Sequence, residues 1–164
     1  MRTFGYVLVG RMLSLLPILV VWSATDPTTP KLNLHWQTSF VVFAGDANAH
    51  PPMAFGGKLL SEMDRTAGIT VRRLLFASPV RDAVTVGLAN VRFHNAARVK
   101  DLLHVRGEVT GIGVKSITVR VSVHREIMSE EFGEVETLLV DGVFTFVAYD
   151  VQTQKAVPHG LPER

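Results

Sequence analysis

The chain has 164 residues, 17 basic against 15 acidic side chains, a formal net charge of +2 and 47% hydrophobic content. That composition fits one folded domain with an appendage and excludes a disordered or collagen-like chain. It contains no Cys, so a disulfide framework, a thiolate zinc site and a cysteine nucleophile are excluded. With charge this balanced and no basic tail, nucleic acid is not an expected partner.

Residues 1–22, MRTFGYVLVGRMLSLLPILVVW, carry only Arg2 and Arg11 as charges. The uninterrupted apolar run from Met12 to Trp22 is shorter than the ~20 residues of a spanning helix, and Ser23-Ala24-Thr25 offers a loose cleavage site. Residues 1–24 therefore leave export or membrane association open beside a cytoplasmic location; an apolar extension over the domain and a misplaced start codon are the other readings. TDPTTPK at 25–31 reads as a linker, because two prolines cannot sit inside a helix or an interior strand. The expected organisation is an extension and linker over 1–30 and one domain over 31–164.

HWQTSFVVF at 35–43 is aromatic and β-branched and stops at Gly45-Asp46, which predicts a strand. Between Phe55 and Phe76 the apolar residues Leu60, Met63, Ala67, Val71, Leu74 and Leu75 recur at spacings of three and four, predicting a helix packed on one side. After Pro79 the period changes. The segments 84–93, 102–110, 116–126 and 137–150 alternate or run as β-rich stretches and predict four strands. GIGVK at 111–115 suits a hairpin, and SEEFGE at 129–134 reads as a polar turn. The order β, α, β, β, β, β predicts an α+β domain: an antiparallel sheet with one long helix across a face.

Asp64 breaks the helical pattern, since it projects near the apolar stripe where an ionised carboxylate loses solvation unless it is paired or functional. Gly57 and Gly68 lie seven before and four after it on that side, letting a backbone or ligand approach. Two readings stand: an ion pair at the edge of the stripe, with Arg65 or Lys58 or with another strand, or a catalytic carboxylate.

The run GDANAHPPMAFGGKLLSEMDRTAG at 45–68 resembles the first motif of the hotdog-fold acyl-CoA thioesterases of the YciA and cytosolic acyl-CoA hydrolase type: an Asn-bearing loop, Phe-Gly-Gly, a helix and a Met-Asp pair. Residues 91–123 resemble the family's second and third sheet strands, and VFTFVAYD at 143–150 followed by VPHGLP its closing strand and tail. Three positions depart from the pattern. The Asn48–Phe55 loop is one residue longer, with Pro51-Pro52 replacing a glycine, Ala96 replaces a proline, and Lys100 stands where a glycine usually precedes Asp101.

The resemblance implies a hotdog sheet wrapped around the helix and hydrolysis of fatty acyl-CoA to free acid and coenzyme A. It implies Asp64 as general base or nucleophile, at a site shared across a homodimer or a multiple of it, with Asp64 of one protomer opposite Asn48 of the other. Hydrolysis needs a base or nucleophile and donors aimed at the developing oxyanion. The Gly56 and Gly57 amides at the helix start are candidate donors, and Asn48 could orient water or the thioester carbonyl. By the same resemblance Lys115 and Ser116 in the hairpin, with Arg92, Arg98 and Lys100, are candidates for coenzyme A phosphates. No cofactor or metal is implied, and the six histidines lack ligand spacing. Two other functions are carried along: a non-catalytic acyl-CoA-binding module, and a hydroxyacyl dehydratase using His50 with Glu62 or Asp64.

Overall fold

A computed structural model describes residues 34–129 and 133–163. The apolar stretch, the linker and the 30/31 boundary lie outside the described residues. No described helix is long and apolar enough to cross a membrane.

The strands are β1 (His35–Val41), β2 (Ala83–Phe93), β3 (Leu102–Ile112), β4 (Ser116–Ser129), β5 (Gly133–Asp150) and the short β6 (Lys155–Ala156), with one helix, α1 (Gly56–Leu74), after β1. They pair antiparallel in the order β1-β3-β4-β5-β2, and β6 adds to β5. β2 is thus an edge strand although it is second in the chain. Alternation decides the faces: Leu103, Val105 and Val109 of β3, Val119, Val121 and Val123 of β4, and Phe144 and Phe146 of β5 are buried. α1 lies on that face through Leu59, Met63, Ala67, Val71 and Leu74. Each Val, Leu, Met or Phe among these contributes roughly 1.5–3 kcal/mol when fully buried, so the stripe and the sheet face hold each other.

Two glycines set how closely helix and sheet approach. A Cβ on Gly107 of β3 would stand 2.6 Å from Thr70 Oγ1, and one on Gly142 of β5 would stand 3.0 Å from Val91 Cγ2 and 3.5 Å from Met63 Cε. The buried hydroxyls at the crossing are satisfied: Thr70 donates to the Thr66 carbonyl at 2.8 Å, and Thr38 and Thr66 share a 2.6 Å hydrogen bond. The opposite sheet face is polar. There the two amino groups of Arg106 donate to the Glu136 carboxylate at 2.6 and 2.5 Å, and His104 Nε2 lies 2.7 Å from Glu126.

The boundaries differ from expectation in three places. α1 stops at Leu74 and tightens into a 3-10 turn, Leu75–Ala77, in keeping with Pro79 ahead of it. β1 ends at Val41 because Val42 leaves the ladder, exchanging backbone hydrogen bonds with Asp101 and Lys100 instead. β4 and β5 extend into the stretch expected to be a turn, since the cross-strand pairs Met128↔Glu134 and Ser129↔Gly133 continue the ladder.

Candidate active site

The amino end of α1 is left open by its sequence. Phe55 is the N-cap and offers no capping side chain, so the Gly56 and Gly57 amides meet no acceptor among the described residues. The approach loop is pinned by Phe55 N–H on the Asp46 carbonyl at 2.8 Å and Asn48 N–H on the Met53 carbonyl at 2.9 Å. Between this loop, the helix start and the turn after β2 lies a cavity of about 310 Å³ lined in part by Asn48, Gly56, Leu59 and Phe93. Donors and the positive end of the helix dipole therefore converge on one space. The two glycines differ in the room they need: a Cβ on Gly56 would only meet the Phe93 ring at 3.4 Å, an ordinary contact, whereas one on Gly57 would overlap the Phe55 ring, which would have to move.

Asp64 lies eight residues further along α1, about 12 Å at 1.5 Å per residue. It is half-buried, and the Thr85 hydroxyl of β2 donates to its Oδ1 at 2.7 Å. No ion pair reaches it among the described residues. The neighbours proposed as its partners are engaged elsewhere: Lys58 Nζ lies 3.0 Å from Glu62 and 3.4 Å from Asp46, and Arg65 lies 3.4 Å from Glu62. The ion-pair reading of Asp64 is therefore corrected, because helix spacing gives both cations to Glu62 at i+4 and i−3. Glu62 being occupied, and His50 being exposed with no bond to either carboxylate, the dehydratase pairing is not assembled within a protomer.

Within one protomer the structure gathers Asn48 and Gly56 on one cavity, with Gly57 adjacent, and sets Asp64 apart from them. The phosphate candidates do not cluster. Arg92 pairs in register with Asp141, whereas Ser116 pairs with Val147, six residues along β5 and about 20 Å away. Lys115 Nζ donates to the Ala156 carbonyl at 3.2 Å, and Arg98 bridges to Met53 in the loop. Lys100 adopts φ +75°, the left-handed conformation that suits the glycine expected there. Thr85 was not among the predicted site residues. Its signal was the alternation of β2, where Ala83, Thr85 and Gly87 share the more covered side, but contact with Asp64 depends on a register between elements far apart in sequence.

Two charge features surround the site. Backbone hydrogen bonding from Phe43 holds the Asp46 carboxyl below its ordinary range, and the Glu62 carboxylate raises Lys58. Among the described residues no group of three or more His, Asp or Glu side chains could hold a metal ion.

Residues 52–131 match the thioesterase superfamily. The chain is 32% identical over 106 residues to an uncharacterized acyl-CoA thioester hydrolase of Haemophilus influenzae, covering 64% of this chain and 65% of that protein. It is 35% identical over 123 residues to the uncharacterized acyl-CoA thioester hydrolase YkhA of Bacillus subtilis, covering 74% and 67%. It thus spans about two thirds of the length of these relatives. A crystal structure of an apo-hexameric acyl-CoA thioesterase superposes with a TM-score of 0.66 at 30% identity, covering 80% of this chain and 77% of that one. With its antiparallel sheet, its single described helix and this likeness, the chain belongs to the thioesterase superfamily and has the hotdog fold.

Proposed function

We propose that the protein is an acyl-CoA thioester hydrolase that releases free acid and coenzyme A, with Asp64 acting at a site completed by a second protomer. The observation that carries this reading is the state of Asp64: a half-buried carboxylate held by one hydroxyl at 2.7 Å, with no cation to neutralise it among the described residues. A carboxylate kept in that environment is suited to accept a proton or attack a carbonyl.

The site needs two protomers because the parts are too far apart in one. Asp64 and the Gly56 amide are separated by about 12 Å along α1, whereas a reacting carbonyl must meet base and donors within hydrogen-bond reach. β2 carries Thr85 and lies at an edge of the sheet. Two copies can satisfy the outer backbone groups of β2 by pairing edge to edge, which continues the exposed row Val84, Val86 and Leu88 from one protomer to the next. Asp64 of one protomer then works opposite Asn48, Gly56 and Gly57 of the other.

In the reaction a water molecule loses a proton to Asp64 while its oxygen bonds to the thioester carbon. The free Oδ2 is the acceptor, since Thr85 occupies Oδ1 and fixes the carboxylate plane. Negative charge on the carbonyl oxygen is met by the helix-start amides and the Asn48 amide, and collapse breaks the carbon–sulfur bond, the departing sulfur taking the proton from Asp64 and so restoring the carboxylate. Direct attack by Asp64 would use the same contacts and differ in forming an anhydride that water then opens.

The test is thiol release from a series of acyl-CoAs by the full chain, monitored with a thiol reagent. Saturable turnover supports hydrolysis. Saturable binding without release of thiol would replace this reading with that of a binding module.

A further inference from the structure

α1 and β2 run antiparallel beside one another, and the groove between them changes character along its length. Gly56 stands against Phe93 at one end, and Asp64 meets Thr85 in the middle. One helical turn past Asp64 is Gly68, about 6 Å on, and one strand period before Thr85 is Ala83, about 6.6 Å on. Gly68 and Ala83 wall a cavity of about 160 Å³ with Arg72, Arg81, Asp82 and Phe146. The two steps are independent and run the same way, so the cavity continues the groove beyond the reactive carboxylate.

What sets this cavity apart is that it gathers two arginines on one small space, whereas Lys58 is held by Asp46 and Glu62, Arg106 by Glu136 and Arg125 by Asp101. Arg72 and Arg81 face one cavity and neither forms an ion pair among the described residues; Arg81 has only its guanidinium carbon 5.2 Å from the Phe76 ring centre. Asp82 is the single acid in the lining, which leaves an excess of one positive charge. Arginine's planar fork matches carboxylate and phosphate oxygens. A volume of about 160 Å³ corresponds to about five waters at ~30 Å³ each, which suits one such group.

We propose that this arginine-lined end of the α1–β2 groove is an anion-binding subsite for the substrate, with Arg72 and Arg81 as its recognition residues. The proposal rests on the hydrolase reading and adds to it that a favoured substrate carries a carboxylate or phosphate on the order of 12 Å from the thioester carbon, the span from Asp64 to Arg72. That anion is either a carboxylate ending the acyl chain or a phosphate of the coenzyme.

Arg72→Gln, Arg81→Gln and the double variant of the full chain separate these sources. They are assayed on a fatty acyl-CoA, on the mono-CoA ester of a dicarboxylic acid of equal length, and on the pantetheine thioester of the fatty acid, which lacks phosphates. Loss of a charge-assisted hydrogen bond is expected to lower kcat/KM by roughly tenfold or more, chiefly through KM. Loss confined to the dicarboxylic ester assigns the acyl carboxylate; loss with both CoA esters but not the pantetheine thioester assigns the phosphate. Values within about twofold of wild type on all three, or equal loss on all three, overturn the subsite. The double variant is expected to melt close to wild type, since both arginines are exposed and form no ion pair among the described residues, and a marked fall would mean a structural role. Should the wild type release no thiol, the hydrolase reading fails separately. Equilibrium dialysis with the dicarboxylic mono-CoA ester and with coenzyme A then decides: a roughly tenfold weaker grip by the double variant on either ligand sustains the subsite, and equal affinities on both remove it.

Discussion

Replacing Asp64 by Asn separates a catalytic carboxylate from a structural one. Among the described residues the one hydrogen bond to its side chain is donated by Thr85 to Oδ1 at 2.7 Å, and an Asn oxygen accepts the same bond. No cation is orphaned, because Lys58 and Arg65 rest on Glu62, and a half-buried charge is removed from beside an apolar stripe. Stability is therefore expected to change by less than about 0.5 kcal/mol. Removing the base or nucleophile is expected to lower turnover by about two to four powers of ten, and two powers correspond to roughly 3 kcal/mol of transition-state stabilisation. Thiol release and thermal unfolding are measured on one preparation, with Glu62→Gln as the control. That change strips two cations of their carboxylate and is expected to cost about 1 kcal/mol or less, discounted because Lys58 and Arg65 are themselves 33% and 69% exposed. Its turnover per folded protein should hold. Near-normal turnover by well-folded Asp64→Asn would refute the mechanism.

Thr85→Val, which keeps the shape and removes the donor that aligns Asp64, is expected to slow thiol release roughly tenfold with little change in KM; an unchanged kcat would remove Thr85 from the site. Gly107→Ala forces a methyl against Thr70, whose hydroxyl is tied to the Thr66 carbonyl, and should cost about 1–3 kcal/mol in chemical denaturation. Lys100→Gly relieves a left-handed backbone position at φ +75° and should raise stability by a few tenths to about 1 kcal/mol, net of the extra unfolded-state freedom of glycine. Hydrogen bonding from Arg106 holds the Glu136 carboxyl below its ordinary value of 4.5, so the stability it contributes is present above that pH and lost as pH falls through the lower folded value. Glu136→Gln should flatten that acid limb of the melting temperature against pH. Burial and the Arg106 charge press His124 below its ordinary 6.5, so the unfolded chain takes up a proton first and stability falls as pH drops below about 6.5, an effect that His124→Gln should abolish.

What could be read before the structure was what depends on local periodicity. The three-and-four spacing of Met63, Ala67, Val71 and Leu74 and the alternation of the later strands report directly on which face is buried. The position of Asp64 beside that stripe was legible for the same reason. Its partner was not, although the sequence already held half the answer. Helix spacing joins Lys58 and Arg65 to Glu62, not to a residue six away or adjacent, so those two partners could have been set aside, but a partner from another strand could not. The Thr85 contact required knowing that the second strand in the chain ends at the sheet edge beside α1. The substitution of Lys for Gly before Asp101 was visible as a departure, and its physical meaning came from the backbone angle alone.

The same reasoning orders the groove. Glycines at 56, 57 and 68 were readable as missing side chains, but their effect depends on what each faces: Phe93, Phe55 and Phe146 respectively. Beside unpaired amides such a gap has the features of an oxyanion site, and beside Arg72 and Arg81, which outnumber the single Asp82 of that lining, it has those of a second anion site. Both gaps open on the face of α1 that carries Asp64, about 12 Å before it and about 6 Å after it along the axis. On the reading proposed above, the first gap serves the Asp64 of an edge-to-edge partner, because it is too distant from that of its own protomer, whereas the second lies on the same groove as its own Asp64 and takes the anion of the substrate bound there.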